Sequence, residues 1–415
     1  MKFFHLADLH FGKMLHQIPL IKEDQPLFVE SFLDAVDRYK PDAVVMSGDI
    51  YDRRVPPPEA IRLFDRLLTG LAERDVYVFI IPGNHDSAVR LSHVSGLLSS
   101  HKIYIAGELT RKLTRVALPD GDRTVVFTLM PYLFPAAVSE VLGRDDLSTY
   151  DASARAVIEA QEIDPDAVNI LAAHQNVLAG GVPPEHSGSE TIIGGLGEID
   201  VSAFDAFDYV ALGHIHNAQK VGRDTVRYAG CPLYYDFSEI NRKKDLTLVT
   251  VRGKGDIRIE SVPVPLRHTL RRESGTLEEL LDAGRKLAGK DACYIECILR
   301  DRHVPPHALE QLRDVYGDAL IHVKREVPEP EFSADENARG EGQEELSLEA
   351  LFNRFYLERN QELPDGCQEA AVRKILEILD RHGSDYILDP RAVPEEESGE
   401  ILSEVLSFAH LNAHD

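Results

Sequence analysis

The stretch VFIIPGNHD, residues 78 to 86, runs four apolar residues into Pro82 and Gly83 and ends on Asn84, His85 and Asp86. Taken alone it reads as a buried strand closed by an ordinary turn, because glycine permits positive φ and Asn and Asp bond their own backbone. Its meaning depends on how the other apolar runs finish. KFFHLADLH (2–10) ends in Asp8 and His10, AVVMSGDIYD (43–52) in Asp49 and Asp52, NILAAH (169–174) in His174, and YVALGHIH (209–216) in His214 and His216. Five apolar runs thus finish in metal-binding side chains, and in α/β sheets the site lies beyond the carboxyl ends of the strands.

The spacing suits coordination. Asp8 and His10 are two apart, as are His214 and His216, so in extended chain each pair projects from one face. Gly48, Gly83 and Gly213 directly precede Asp49, Asn84 and His214, where a tight turn or a close backbone approach is wanted. Carboxylate, amide and imidazole together offer hard oxygen and borderline nitrogen, which favours manganese or iron over calcium or a thiolate-rich zinc site. The candidates exceed the needs of one ion. Two ions about 3.5 to 4 Å apart would use them, lower the pKa of a bound water to about 7, and clamp a phosphate for in-line attack. His5, His16, His93 and His101 stand outside this pattern and read as ordinary satisfied histidines, and Asp86 as a turn residue or support rather than a ligand.

At 415 residues and 43% hydrophobic content the chain has room for a large core and for two or three domains. The start, MKFFHLADLH, carries charge and two histidines within ten residues, and no run of about 18 apolar residues occurs. The expectation is a soluble cytoplasmic protein. Cys231, Cys293, Cys297 and Cys367 form no CxxC pair, so neither a zinc knuckle nor a disulfide framework is indicated. A net charge of −25 argues against general polyanion binding. Metal cations or a basic partner subunit would reverse the sign locally.

Along the chain, KFFHLA, a helical stretch at 25–39, DAVVMS, a helical stretch at 58–72 and VYVFII give the βαβ pattern of a buried parallel sheet. VVFTLM, AVNILAA, DYVALG and LTLVTV continue a mixed α/β domain to residue 264. Residues 265–325 read as a smaller α/β unit, with Thr276 and Glu279 as a capping box, CYIECIL as a strand and 305–316 helical. Residues 326–346 are an acidic linker rich in Pro, Gly and Glu. In 347–415, Leu348, Leu351, Phe352, Phe355 and Tyr356 share one helical face and Val372, Ile375, Leu376 and Leu379 another, with Asp365 and Gln368 as a second capping box. Such a helical hairpin either folds back on the main domain or docks on another protein. Ile401, Leu402, Val405 and Leu406 suggest one more helix.

The motif set, DxH, GDxxD, GNHD, a lone histidine and GHxH in that order across residues 8 to 216, resembles the calcineurin-like metallophosphoesterase superfamily. The resemblance implies an α/β fold, a metallophosphoesterase β-sandwich flanked by helices, here with a small capping domain and a C-terminal helical hairpin. By the same resemblance Asp8, His10, Asp49 and His216 hold one ion, and Asp49, Asn84, His174 and His214 the other, with Asp49 bridging. His85 is left to contact the scissile phosphate and protonate or steady the leaving oxygen, a role suited to imidazole. Asp52 is expected to orient His85, and Arg53 to meet a phosphate oxygen.

HLADLHFGK at the start, SGDIYDRRVPPPEAI, YAGCPLYYDFSEI, the cap and the helical hairpin are similar to the nuclease subunits of bacterial complexes that process DNA ends and hairpins. Cys231 departs from the small residue such as serine expected in the GSP of that stretch. The resemblance implies manganese as cofactor, double-stranded DNA ends and hairpins as substrate, and a coiled-coil ATPase bound by the C-terminal helices. It also implies a homodimer formed near residues 58–100 and no membrane association. Within enzymes the competing reading is a phosphodiesterase for a small or cyclic nucleotide, which needs neither cap nor hairpin. Outside enzymes it is a scaffold with a decayed metal site, against which the intact ligand set counts.

Overall fold

The computed structural model describes residues 1–190, 197–301 and 305–326, together with residues 352, 353, 356, 357, 368, 372 and 373. The chain divides into a unit spanning Met1–Glu329 and a second spanning Pro330–Asp415. The helical hairpin expected within 347–415, its Asp365–Gln368 capping box and the terminal helix lie outside the described residues, save for those seven positions.

Two six-stranded sheets face each other. The first runs in the order Asp256–Pro263, Asp245–Gly253, Lys2–Leu6, Ala43–Ser47, Tyr77–Ile81 and Ile103–Ile105. The second runs in the order Gln219–Val221, Arg223–Tyr228, Tyr209–Gly213, Val168–His174, Arg123–Leu129 and Thr114–Asp120. Lys2–Leu6, Ala43–Ser47 and Tyr77–Ile81 are parallel neighbours, as are Val168–His174 and Tyr209–Gly213. Their carboxyl ends therefore lie at one edge of the sandwich.

The strands read as unbroken apolar runs because both faces are buried. Phe3, Val45, Phe79, Ile81, Phe127, Ile170 and Tyr209 point between the sheets, where the Phe79 and Phe127 rings stack 4.2 Å apart. The alternate residues Phe4, Leu6, Val44, Met46, Val78 and Ile80 face the helices Asp24–Tyr39 and Pro58–Glu73, through Phe28, Phe32, Leu63, Phe64 and Leu67. On the other side Leu171, Ala173, Val210 and Leu212 pack on the helix Tyr150–Glu159 through Ala154 and Val157.

A third sheet of Thr269–Gly275, Cys293–Leu299 and Leu320–Arg325 is parallel throughout. Its crossovers are the helices Leu277–Lys286 and Ala308–Tyr316, and the Thr276–Glu279 capping box is formed. The second of these helices starts at Ala308 rather than at 305, because His307 adopts φ 58 and cannot join a right-handed helix. Tyr294 Oη donates to Asp24 Oδ2 at 2.7 Å and His268 Nδ1 to Asp24 Oδ1 at 3.0 Å, which ties this sheet to the helix Asp24–Tyr39. Cys231, Cys293 and Cys297 are unpaired and buried.

His5 is the polar rivet between the two large sheets. It is fully buried, with Nδ1 3.0 Å from Tyr209 Oη and Nε2 3.1 Å from the Leu212 carbonyl. Burial, aided by Arg227, pulls its pKa from 6.5 down to about 3. The unfolded chain takes up this proton as pH falls below 6.5 while the folded chain does not, so stability is lost progressively from pH 6.5 down to about 3. At pH 5 the loss is about 2 kcal/mol. Urea unfolding of metal-free protein at pH 7 and pH 5 is expected to show a drop smaller by that amount in His5→Gln; equal drops would refute the assignment.

Candidate metal centre

The positions of the expected ligands are set by backbone that few residues tolerate. Asp8, His10, Asp49 and His214 have φ of 55, 42, 52 and 100°. These lie in the left-handed half of φ space, where a non-glycine residue is held only by surrounding structure. That structure is visible. Asp8 N donates to the Gly48 carbonyl at 3.0 Å and His10 N to the Asp49 carbonyl at 2.9 Å, which staples the first strand end to the second. Asp86 is buried and accepts from Gly83 N at 2.9 Å, Tyr51 N at 2.9 Å and Ile50 N at 3.0 Å, which staples the second to the third. Gly83 is required by contact: a Cβ there would enter the Asp49 carboxylate, and one at Gly48 would enter the His174 ring.

The seven expected ligands meet in one place. His10 Nε2 lies 3.2 Å from His216 Nε2 and 3.5 Å from Asp49 Oδ2. His174 donates from Nδ1 to the Ser47 carbonyl at 2.7 Å, which leaves Nε2 facing Asn84 Oδ1 at 3.1 Å and Asp49 Oδ2 at 3.3 Å. Asn84 Oδ1 is also 3.1 Å from His214 Nδ1. Asp49 Oδ2 thus faces both groups. Asp8 Oδ1 accepts from His214 N at 2.9 Å, while Asp8 Oδ2 is buried with no hydrogen-bond partner among the described residues.

The electrostatics favour a cation. Burial pulls His10 down to about 4 and His214 to about 3, so both are neutral imidazoles with lone pairs. Burial pushes Asp8 up to about 6, with His174 and His216 opposing. Burial also acts to raise Asp49, but His174, together with His10 and His85, outweighs it and holds the carboxyl well below its usual range. Reciprocally, burial acts to lower His174, and Asp49, together with Asp8 and the Ser47 carbonyl, outweighs it, raising the imidazole to about 9. His174 would have to give up this proton to serve as a ligand, so metal binding through it would release protons. An orphaned buried carboxylate oxygen, clustered imidazoles, one amide oxygen and no thiolate among these seven side chains fit hard or borderline divalent ions.

His85 sits beside the cluster, its ring centroid 4.8 Å from that of His10. Its backbone N donates to Asp49 Oδ1 at 3.0 Å and its Nδ1 to the Asp52 carbonyl at 2.9 Å, which leaves Nε2 uncommitted. Asp52, expected to orient His85, meets it through its main-chain carbonyl rather than its carboxylate. The Asp52 carboxylate instead accepts from Lys13 Nζ at 2.8 Å and lies 3.5 Å from His10 Nδ1. Burial acts to raise that carboxyl, but His10 and Lys13 together hold it below the ordinary range. Arg53 is 69% exposed and 3.7 Å from Asp52 Oδ2.

Sequence reasoning missed Lys13, and also Tyr235, whose Oη donates to the Leu9 carbonyl at 2.7 Å and the Asp8 carbonyl at 3.1 Å. It also missed Ser189, Glu190 and Glu239 around His216. The Tyr235 and Glu239 signal lay in YYDFSEI, a stretch used for resemblance without a role for each residue.

Residues 1–218 match the sequence profile described as calcineurin-like phosphoesterase. The chain belongs to this family. It is accordingly a hydrolase of phosphoester bonds that uses divalent metal ions. Residues 266–360 of this phosphoesterase match a second profile, SbcD_C, described as type 5 capsule protein repressor C-terminal domain. The phosphoesterase is similar to the SbcD subunit of the nuclease SbcCD from Staphylococcus epidermidis, with 26% identity over 387 residues, 92% of this chain and all of the relative.

Because a Cβ at Gly83 has no space beside the Asp49 carboxylate, Gly83→Ala is expected to weaken divalent-metal affinity about 10- to 100-fold, the range seen when ligand support is lost. Titration calorimetry with Mn2+ reads this directly, and wild-type affinity in the variant would refute the steric argument.

Proposed function

We propose that this phosphoesterase is the nuclease subunit of an SbcCD-type complex, a manganese-dependent hydrolase of phosphodiester bonds at double-stranded DNA ends and hairpins. It would act with an SbcC-type coiled-coil ATPase in DNA repair and recombination. The observation that carries the reading is the length of the similarity: it reaches across 92% of the chain, well past residues 1–218, and takes in the whole of a relative named as a nuclease. A small-nucleotide phosphodiesterase has no use for the remainder.

Two divalent ions, when bound, lower the pKa of a water to about 7 and clamp the phosphate between them. Asp8, His10, Asp49 and His216 are assigned to one ion and Asp49, Asn84, His174 and His214 to the other. The facing of Asp49 Oδ2 toward both His10 and His174 supports that sharing. His85, tethered through Nδ1, presents Nε2 to protonate or steady the leaving oxygen. Arg53, being exposed, is free to meet a phosphate oxygen bidentately.

Residues 1–264 form the nuclease domain in this reading and 265–325 a cap that orients DNA. Residues 326–346 are a linker, and 347–415 bind the ATPase, which supplies the basic grip that a chain of net charge −25 lacks. A homodimer is supported by a groove of about 590 Å³ lined by Ile61, Phe64, Leu68, Leu91 and Leu98, beside exposed Val89 and Leu97. A cytoplasmic location belongs to this reading through the bacterial relative, and no helix among the described residues is long and apolar enough to cross a membrane.

The purified chain in manganese is expected to cut end-labelled hairpin DNA in preference to a cyclic dinucleotide or a nucleoside monophosphate; turnover of the small nucleotide alone would replace this reading. His85→Ala is expected to lower cleavage about 10²- to 10⁴-fold while both metals stay bound by titration, since only its backbone N touches Asp49. Loss of metal with activity would show that the His85 side chain has been given the wrong role.

A further inference from the structure

His216 is backed by a buried charged network. Lys244 Nζ and Glu239 Oε2 are 2.8 Å apart, each side chain 1% exposed. Tyr235 N also donates to Glu239 Oε2 at 3.1 Å, and Lys244 Nζ reaches Cys231 Sγ at 3.0 Å. The other carboxylate oxygen, Oε1, accepts from Ser189 Oγ at 2.7 Å and from Ser187 Oγ at 3.2 Å. Ser189 Oγ lies 2.6 Å from His216 Nδ1.

The proton positions follow from valence. A carboxylate facing a buried ammonium is ionised and accepts only. The single Ser189 hydroxyl proton is therefore committed to Glu239, and the Ser189 oxygen must accept from His216 Nδ1–H. The His216 lone pair is then on Nε2, the atom that faces His10. The same segment holds the residue a second time, since Glu190 Oε1 accepts from His216 N at 2.7 Å. Cys231 N donates to the His216 carbonyl at 3.1 Å. Ring, N–H and carbonyl are each fixed.

We propose that Ser189, Glu190 and Glu239, with Lys244 as counter-ion, are positioning residues for His216, setting its tautomer and thereby the affinity of the ion it holds. This rests on the reading of His216 as a metal ligand. A buried lysine–glutamate pair is a poor stabiliser relative to apolar residues of the same volume, so its place directly behind one ligand has a better account in orientation. Removing such support behind a ligating histidine costs about 10- to 100-fold in metal affinity.

The test uses the full chain with Mn2+ and Co2+ as probes. Ser189→Ala is expected to weaken one of the bound ions about 10- to 100-fold and to alter the visible spectrum of the Co2+ form, with the metal-free melting temperature unchanged. Ser189→Thr, which keeps the hydroxyl, is expected to restore affinity and spectrum. Glu239→Gln approaches from the other end and is expected to weaken the same ion. Unchanged affinity and spectrum in Ser189→Ala would overturn the proposal while leaving the metal site standing. So would an equal loss at both ions accompanied by a lowered metal-free melting temperature, which marks a packing role. Failure of the wild type to bind any divalent ion would overturn the underlying reading of His216 as well.

Discussion

The Asp49 carboxylate is the point through which the two sheets communicate. It lies just past the end of Ala43–Ser47, accepts from His85 N of the next strand end, and faces His10 beyond a neighbouring strand end of the same sheet and His174 at a strand end of the other. Nothing larger than hydrogen fits beside it at Gly83. Parallel strands make this arrangement possible, because they deliver successive carboxyl ends to one edge and leave the connecting helices on the outer face. The apolar alternation that packs Phe3 and Phe79 inward and Phe4 and Ile80 outward therefore also decides where Asp8 and Asn84 emerge.

Much of the site was legible because its information is local. A candidate ligand set at strand ends is written as an apolar run followed by a polar cluster, in three of the five with glycine between, and each run folds as the strand it suggests, with His174 closing its strand and the other groups following theirs. The helices expected at 25–39 and 58–72 form as Asp24–Tyr39 and Pro58–Glu73, since the 3.6-residue apolar period was intact. His5 is the satisfied core histidine it was expected to be.

What stayed hidden depends on pairing across the sequence. Asp245–Gly253 returns antiparallel beside Lys2–Leu6, which no local pattern announces. Asp52 sits three residues beyond Asp49 and looked like a partner for His85, yet its carboxylate turns to Lys13, 39 residues away, and leaves the carbonyl to hold the imidazole. Glu239 and Ser189 are 50 residues apart and become neighbours only when the loop before the last histidine pair closes over the segment after it. Cys231, a departure by sequence, is at ease beside Lys244 and the carbonyl of Leu233, where a small polar atom is what the pocket asks for.

The way Asp86 holds the turns carries a consequence for how this enzyme acquires its metals. Its carboxylate gathers three backbone N–H groups from two strand ends without help from any ligand side chain. The relative position of these two strand ends is therefore held without the expected ligand side chains. With those two strand ends fixed in this way, a donor set of carboxylate, amide and imidazole discriminates among divalent ions by its chemistry rather than by rearranging the turns that carry it.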